Sequence, residues 1–212
     1  MIERSGTRIG IARPRARFVR AAADVRRQAL IEATARCLAE KGVSGTSVRA
    51  ICAQAGVSSG LLTHYFEGVD ALILATYADV GAKVSAALDA AVEAAGDDPR
   101  DRLRACLTAN FRDPILDPDL LATWIAFWSL VKSDARIAAV HAQVYGGTRR
   151  QLEALLRAAV PTLDDAQARI AAISLTALVD GLWLELCLDR SAFSPEEAQA
   201  MVEQAMAKLL QI

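Results

Sequence analysis

The sequence of 212 residues predicts an all-α fold, a three-helix N-terminal bundle followed by a larger helical domain. Two observations carry this expectation. Residues 46–66, TSVRAICAQAGVSSGLLTHYF, read as two short helical segments bent around Gly56, the pattern of a helix-turn-helix. From residue 70 onward apolar residues recur at helical spacing, strand signals are few, and the breaks fall at Pro and Gly.

Taken in order, residues 1–20 are rich in arginine and read as a flexible basic arm. A helix over 22–40 follows, with Val25, Leu30, Ala33, Cys37 and Leu38 on its inner face and Gly42 past its end. The first motif helix spans 47–55. Thr46 is placed to cap it, because a hydroxyl there accepts a bond from an unpaired N–H of the first turn. Val48, Ile51, Cys52 and Ala55 give it one apolar face. Gly56 can end it in the left-handed conformation, and Ser58 caps the second motif helix, 59–66. Residues 21–68 are therefore expected to form the bundle.

Within the bundle, Ile51, Ala55, Val57, Leu62 and Tyr65 face inward, and Cys52 sits where a small side chain is wanted. Ser59, Leu61, Thr63 and His64 point outward, as a helix lying in a DNA major groove requires. The candidate DNA contacts are Thr46, Ser47, Arg49, Ser58, Ser59, Gly60, Leu61, Thr63, His64 and Tyr65. An ordinary helical hairpin also turns at glycine; the two caps, the turn length and the small-residue packing face together favour the DNA-reading motif.

Residues 69–212 are expected to form the larger domain, with helices over 70–95, 98–112, 117–133, 135–159, 164–189 and 195–211. Pro99, Pro114, Pro118, Pro161 and Pro195 mark their boundaries. The helix from Asp70 joins the two parts directly, so movement in one is felt in the other.

Charge points the same way. The formal net charge is −1, but residues 1–56 carry eleven Arg or Lys against four acids, +7, which leaves −8 for the rest. A basic end on an acidic body suits a protein that presents one end to a polyanion. For the arm itself two readings stand: arginines that reach phosphates or a minor groove, and a solvated tail.

Other classes find less support. No uninterrupted apolar run approaches the ~20 residues that span a bilayer, and no apolar core follows the basic N-terminus to make a secretory signal. Cys37, Cys52, Cys106 and Cys187 are widely spaced in apolar helical patterns, as expected of reduced thiols in a cytoplasmic protein. The two histidines, His64 and His141, lie in different parts of the chain. No nucleophile set, metal-ligand spacing or phosphate-cradling loop accompanies them, so neither an enzyme nor a cofactor or metal is expected.

With these residues in place, the sequence resembles the TetR family of transcriptional regulators. The run Gly56-Val57-Ser58-Ser59-Gly60, then His64-Tyr65-Phe66, carries the resemblance. Asn110-Phe111, Trp124-Ile125-Ala126-Phe127-Trp128 and Ala177-Leu178-Val179-Asp180-Gly181-Leu182-Trp183 resemble the BetI-type subgroup. The resemblance implies a cytoplasmic homodimer that represses transcription from a double-stranded DNA operator and responds to a small-molecule effector. For this subgroup it implies choline or a related cation; an unrelated apolar effector, or none, is the alternative. Two positions depart from the family. Val69 stands where a phosphate-contacting lysine is usual, and Thr63 replaces a common tyrosine.

Trp124, Phe127 and Trp128 lie at i, i+3 and i+4 and share one helix face. Such a stripe is more often plain core or dimer contact than a ligand box. Asp180 and Trp183 share a face of another helix, and Asp180 interrupts an apolar run, where an unpaired carboxylate is costly. An arginine, an exposed edge or a cationic ligand could satisfy it, and aromatic faces beside one carboxylate hold quaternary ammonium. The candidate ligand residues are Asn110, Trp124, Phe127, Trp128, Asp180 and Trp183. His141, Tyr145 and Tyr77 border the cavity or are ordinary core and surface residues. Dimerisation is expected on the last two helices, through apolar positions within 170–188 and 198–210.

Overall fold

The computed structural model describes residues 14–210, with side-chain surroundings from residue 23. Nine α-helices and one short 3-10 helix occur among them, and no strand. Helix α1, Pro14–Gly45, begins earlier than expected, so residues 14–20 are helical; residues 1–13 of the expected arm lie outside the described residues. Helix α1 is broken at Gly42, whose φ is 63°.

Val25 is 69% exposed and does not belong to the inner face. Among the α1 residues whose surroundings are described, from residue 23 on, burial starts at Leu30. Leu30, Ile31, Ala33, Thr34, Cys37 and Leu38 are the residues buried there.

Helix α2, Val48–Ala55, is capped by Ser47, whose hydroxyl accepts from Ala50 N at 3.2 Å. Thr46 is not the cap. Its side chain is buried and donates to the Gly42 carbonyl at 2.8 Å, while Ser47 has the extended backbone that a cap needs. Gly56 ends α2 at φ 66°, ψ 33°, a conformation that glycine adopts without a Cβ clash. Helix α3, Ser59–Tyr65, is capped by Ser58, which accepts from Leu61 N.

The larger part contains α4 (Val69–Ala94), α5 (Pro99–Thr108), the 3-10 turn Ala109–Phe111 and α6 (Pro118–Leu130). Helices α7 (Ala135–Ala159), α8 (Asp165–Leu188) and α9 (Pro195–Leu210) complete it. Helix α5 stops before the expected residue 112: Asn110 Nδ2 donates to the carbonyls of Cys106 and Leu107 and tightens the last turn. Helix α6 ends at Leu130 instead of 133. By length and composition α4 and α8 could cross a bilayer; here both contribute buried residues to the core.

The core falls into two clusters. The smaller joins Leu30, Ile31, Ile51, Leu62 and Phe66 to Leu72 of α4. The larger is shared by α4 to α9 and takes in Leu38 of α1. Val69 packs against both, so an apolar residue at the head of α4 ties the two together. Helix α1 packs along α6, and the Thr123 hydroxyl of α6 donates to the Ala35 carbonyl of α1 at 3.1 Å. Helices α4 and α7 approach closely at Gly81, where a Cβ would stand 2.7 Å from Val144 Cγ2.

Candidate functional site

Two surfaces concentrate chemistry. The first is the exposed side of α2 and α3. Ser47, Arg49, Ser58, Ser59, Gly60, Thr63 and His64 are exposed there, and Leu61 and Tyr65 are half-buried. Leu62 is fully buried and anchors α3 to the small core. Thr46 is set apart from this surface by its burial. The Thr63 hydroxyl bonds back to the carbonyls of Ser59 and Gly60, both at 3.2 Å, leaving only its lone pairs for an outside partner. The Tyr65 and His64 rings meet edge to face, and the Arg27 guanidinium lies 5.0 Å from the Phe66 ring centre.

The second is a cavity of about 70 Å³ among α4 to α8. Trp124 of α6, Asp180 and Trp183 of α8, and Asn110 after α5 all line it, together with Tyr145 of α7. Four of the six expected ligand residues thus meet in one place. Phe127 lies elsewhere: it is fully buried and stacks on Tyr77 at 4.2 Å. Trp128 approaches from outside the cavity and donates through Nε1 to the Tyr145 hydroxyl at 3.1 Å. Wider grooves of about 330 and 460 Å³ flank residues 112–117, but they are lined largely by alanine, proline and aliphatic side chains and bring no aromatic ring to a carboxylate.

The cavity is organised around Tyr145. Its hydroxyl oxygen accepts from Trp124 Nε1 and Trp128 Nε1, both at 3.1 Å, and its proton is directed to Asp180 Oδ1 at 3.3 Å. Trp124 stands edge-on to Trp183, with centres 6.1 Å apart, and 6.4 Å from Tyr145. Three aromatic rings therefore line one cavity together with a single carboxylate. Burial pushes the Asp180 carboxyl up to about 6, although the Tyr145 bond and nearby Arg149 pull it down. Burial also raises the Tyr145 and Tyr77 hydroxyls well above their ordinary values. His141 lies outside the cavity, with Nδ1 2.8 Å from the Tyr77 hydroxyl, and burial lowers its pKa, as does Arg149.

Sequence reasoning gave Tyr145 no definite role, yet it joins three helices. Its available signal was a Tyr one turn after His141, whose ring it meets at 4.3 Å. The apolar positions expected at a dimer contact are in part uncovered: Ile170, Ile173 and Leu188 on α8, and Met201 and Leu209 on α9, are exposed.

Comparison with known proteins gives a consistent picture. Residues 30–76 match the model for bacterial regulatory proteins of the tetR family, and residues 99–211 match that for the BetI-type transcriptional repressor C-terminal domain. The chain is 36% identical over 187 residues to the HTH-type transcriptional regulator BetI of Burkholderia thailandensis, covering 88% of this chain and 94% of that protein. A crystal structure described as that of a transcriptional regulator from Pseudomonas aeruginosa PAO1 superposes with a TM-score of 0.83 at 40% identity. It covers 94% of this chain and 97% of its own. A Saccharomonospora viridis protein, also described as a transcriptional regulator and crystallised in complex with choline, shares the fold at 19% identity. Its TM-score is 0.73, covering 85% of this chain and 95% of its own.

Proposed function

The chain belongs to the TetR family of transcriptional regulators, with a BetI-type C-terminal domain, and from that premise we propose that it is a dimeric repressor released from its operator by a quaternary ammonium effector, choline first among them. The observation that carries this reading is the single carboxylate, Asp180, lining one cavity with Trp124, Tyr145 and Trp183. A cation there gains from the carboxylate and from the negative faces of the rings, at ~0.5–2 kcal/mol per ring. It also relieves the cost of holding Asp180 ionised under cover. Trp124, Asp180, Trp183 and Asn110 form the proposed site, and Tyr145 orients it. The choline complex of the Saccharomonospora viridis neighbour supports the same ligand class.

Operator contact is assigned to Ser47, Arg49 and the exposed side of α3. Specific recognition by two such heads requires half-sites about one helical turn, roughly 34 Å, apart, which the exposed apolar stripe of α8 and α9 supplies by pairing two copies. By linkage, an effector that weakens DNA binding is itself bound less tightly by the DNA complex.

The test is fluorescence anisotropy on an operator fragment selected from genomic DNA. Choline is expected to weaken operator binding at least tenfold. Asp180→Asn should keep operator affinity within about threefold and lose the response. Choline without effect on the unmodified protein, or an equal response in the variant, removes the proposal.

A further inference from the structure

Helix α3 carries no arginine or lysine of its own. Between Arg49 and Lys83 the chain has neither, and Glu67 and Asp70 stand just beyond the end of α3. Val69, between those two acids, packs against both cores and brings no charge. Binding to a duplex draws on the neutralisation of phosphates, so the cations for this end of α3 must come from other elements. Arg136 of α7 is near, but it is held by Asp134 at 2.7 Å and lies 3.8 Å from Asp70. Arg27 of α1 is different. Its guanidinium lies 5.0 Å from the centre of the Phe66 ring, at the C-cap of α3.

The ring holds Arg27 in place and leaves its charge unpaired. Phe66 is 7% exposed and belongs to the smaller core, so it is a fixed platform, and a cation over its face is attracted to it. Arg27 itself is exposed. Among the described residues its guanidinium makes no ion pair. Asp24, nearly one turn earlier on α1, and Glu67, beside Phe66, are both exposed and leave it unbridged. Helix α3 has seven residues and is therefore ~10 Å long. The major groove is ~12 Å wide, so a side chain at the end of α3 stands beside a phosphate wall when α3 lies in the groove.

Resting on the operator contact assigned to α3 above, we propose that Arg27 is a phosphate anchor: the Phe66 ring sets its guanidinium at the C-terminal end of α3, where it closes on a backbone phosphate beside the reading helix. The planar fork of an arginine matches two phosphate oxygens at once. Contacts of this kind fix register and orientation and carry no sequence information. Arg27 therefore strengthens binding to any duplex and leaves the choice of sequence to the exposed side of α3.

The experiment is fluorescence anisotropy with the full-length protein on an operator fragment and on an unrelated duplex, from ~50 to ~200 mM salt. Arg27→Gln should weaken binding to both duplexes by the same factor, within about twofold. It should also flatten the salt dependence by ~0.9 log units per log salt for each subunit, or ~1.8 for a dimer. The advantage of the unmodified protein over the variant should then shrink ~12-fold across that range. Arg27→Lys keeps a charge that neutralises a phosphate and should keep the slope. An unchanged slope in Arg27→Gln, or a loss confined to the operator, overturns the anchor and leaves Arg27 a brace on Phe66. A slope flattened equally in Arg27→Lys does the same, since charge is then not what was lost. Failure of the unmodified protein to bind either duplex overturns the operator contact of α3 itself, and the anchor falls with it.

Discussion

Asp180 is the residue on which most depends. Its carboxyl is held at about 6 against an ordinary 3.8, chiefly by burial. Between those two values the folded chain keeps a proton that the unfolded chain has lost. The stability this group contributes is therefore present below the ordinary value and is lost as pH rises through about 6. At pH 7.5 the deficit is on the order of 1–3 kcal/mol. Asp180→Asn should accordingly melt higher than the unmodified protein at pH 7.5, with the difference vanishing near pH 4. Binding of the proposed cationic effector runs the opposite way, because such a ligand needs the ionised form. Choline affinity should be level above about pH 7 and fall towards tenfold per unit below 6. Calorimetry from pH 5 to 8 checks this, and a flat profile sinks it. Cys106, pushed by burial up to about 12, stays protonated across that range.

Among the helices, what could be read from sequence was what is decided locally. The α2–α3 pair lay open because caps and a left-handed glycine act over three or four residues; even there the cap shifted by one position, since only the fold shows Thr46 turned inward to Gly42. The exposure of Val25 depends on how far the covering elements reach, which periodicity does not encode. The same holds for the aromatic stripe of α6. One helix face is wide enough to serve several neighbours, so Trp124 lines the cavity, Phe127 meets Tyr77 and Trp128 comes to Tyr145 from another side. Tyr145 was hidden because its partners are 17 to 35 residues away in sequence. Helix spacing also sets the size of the cavity. Gly81→Ala would place a methyl 2.7 Å from Val144 Cγ2, and Val144 lines the cavity. Overpacking of this kind costs ~1–3 kcal/mol. The variant should unfold at lower urea concentration and bind choline more weakly while retaining operator affinity; unchanged choline binding would show that α4 and α7 can separate freely at this point.

At the scale of the whole molecule, the proposed effector signal from the cavity would have two ways to reach the helix-turn-helix bundle. One runs along α4, which begins at Val69 between the two cores and is tied to α1 by Gln28 Nε2, 3.3 Å from each Asp79 oxygen. The other runs through α6, where Trp124 borders the cavity and its neighbour Thr123 bonds to Ala35 in α1. Spatial continuity does not establish coupling; a change in coupling with both binding events preserved does. Thr123→Val keeps the shape of the buried side chain and removes its hydroxyl. If α6 carries the signal, choline affinity of the free protein and operator affinity without choline should each stay within about threefold. The factor by which choline weakens operator binding should drop ~3–10-fold, within the usual range of coupling energies. Linkage supplies an internal check, since the same reduced factor must appear when choline affinity is compared with and without operator. A full coupling factor in Thr123→Val assigns the transmission to α4, and loss of the Gln28–Asp79 contact in Asp79→Ala should then reduce it instead.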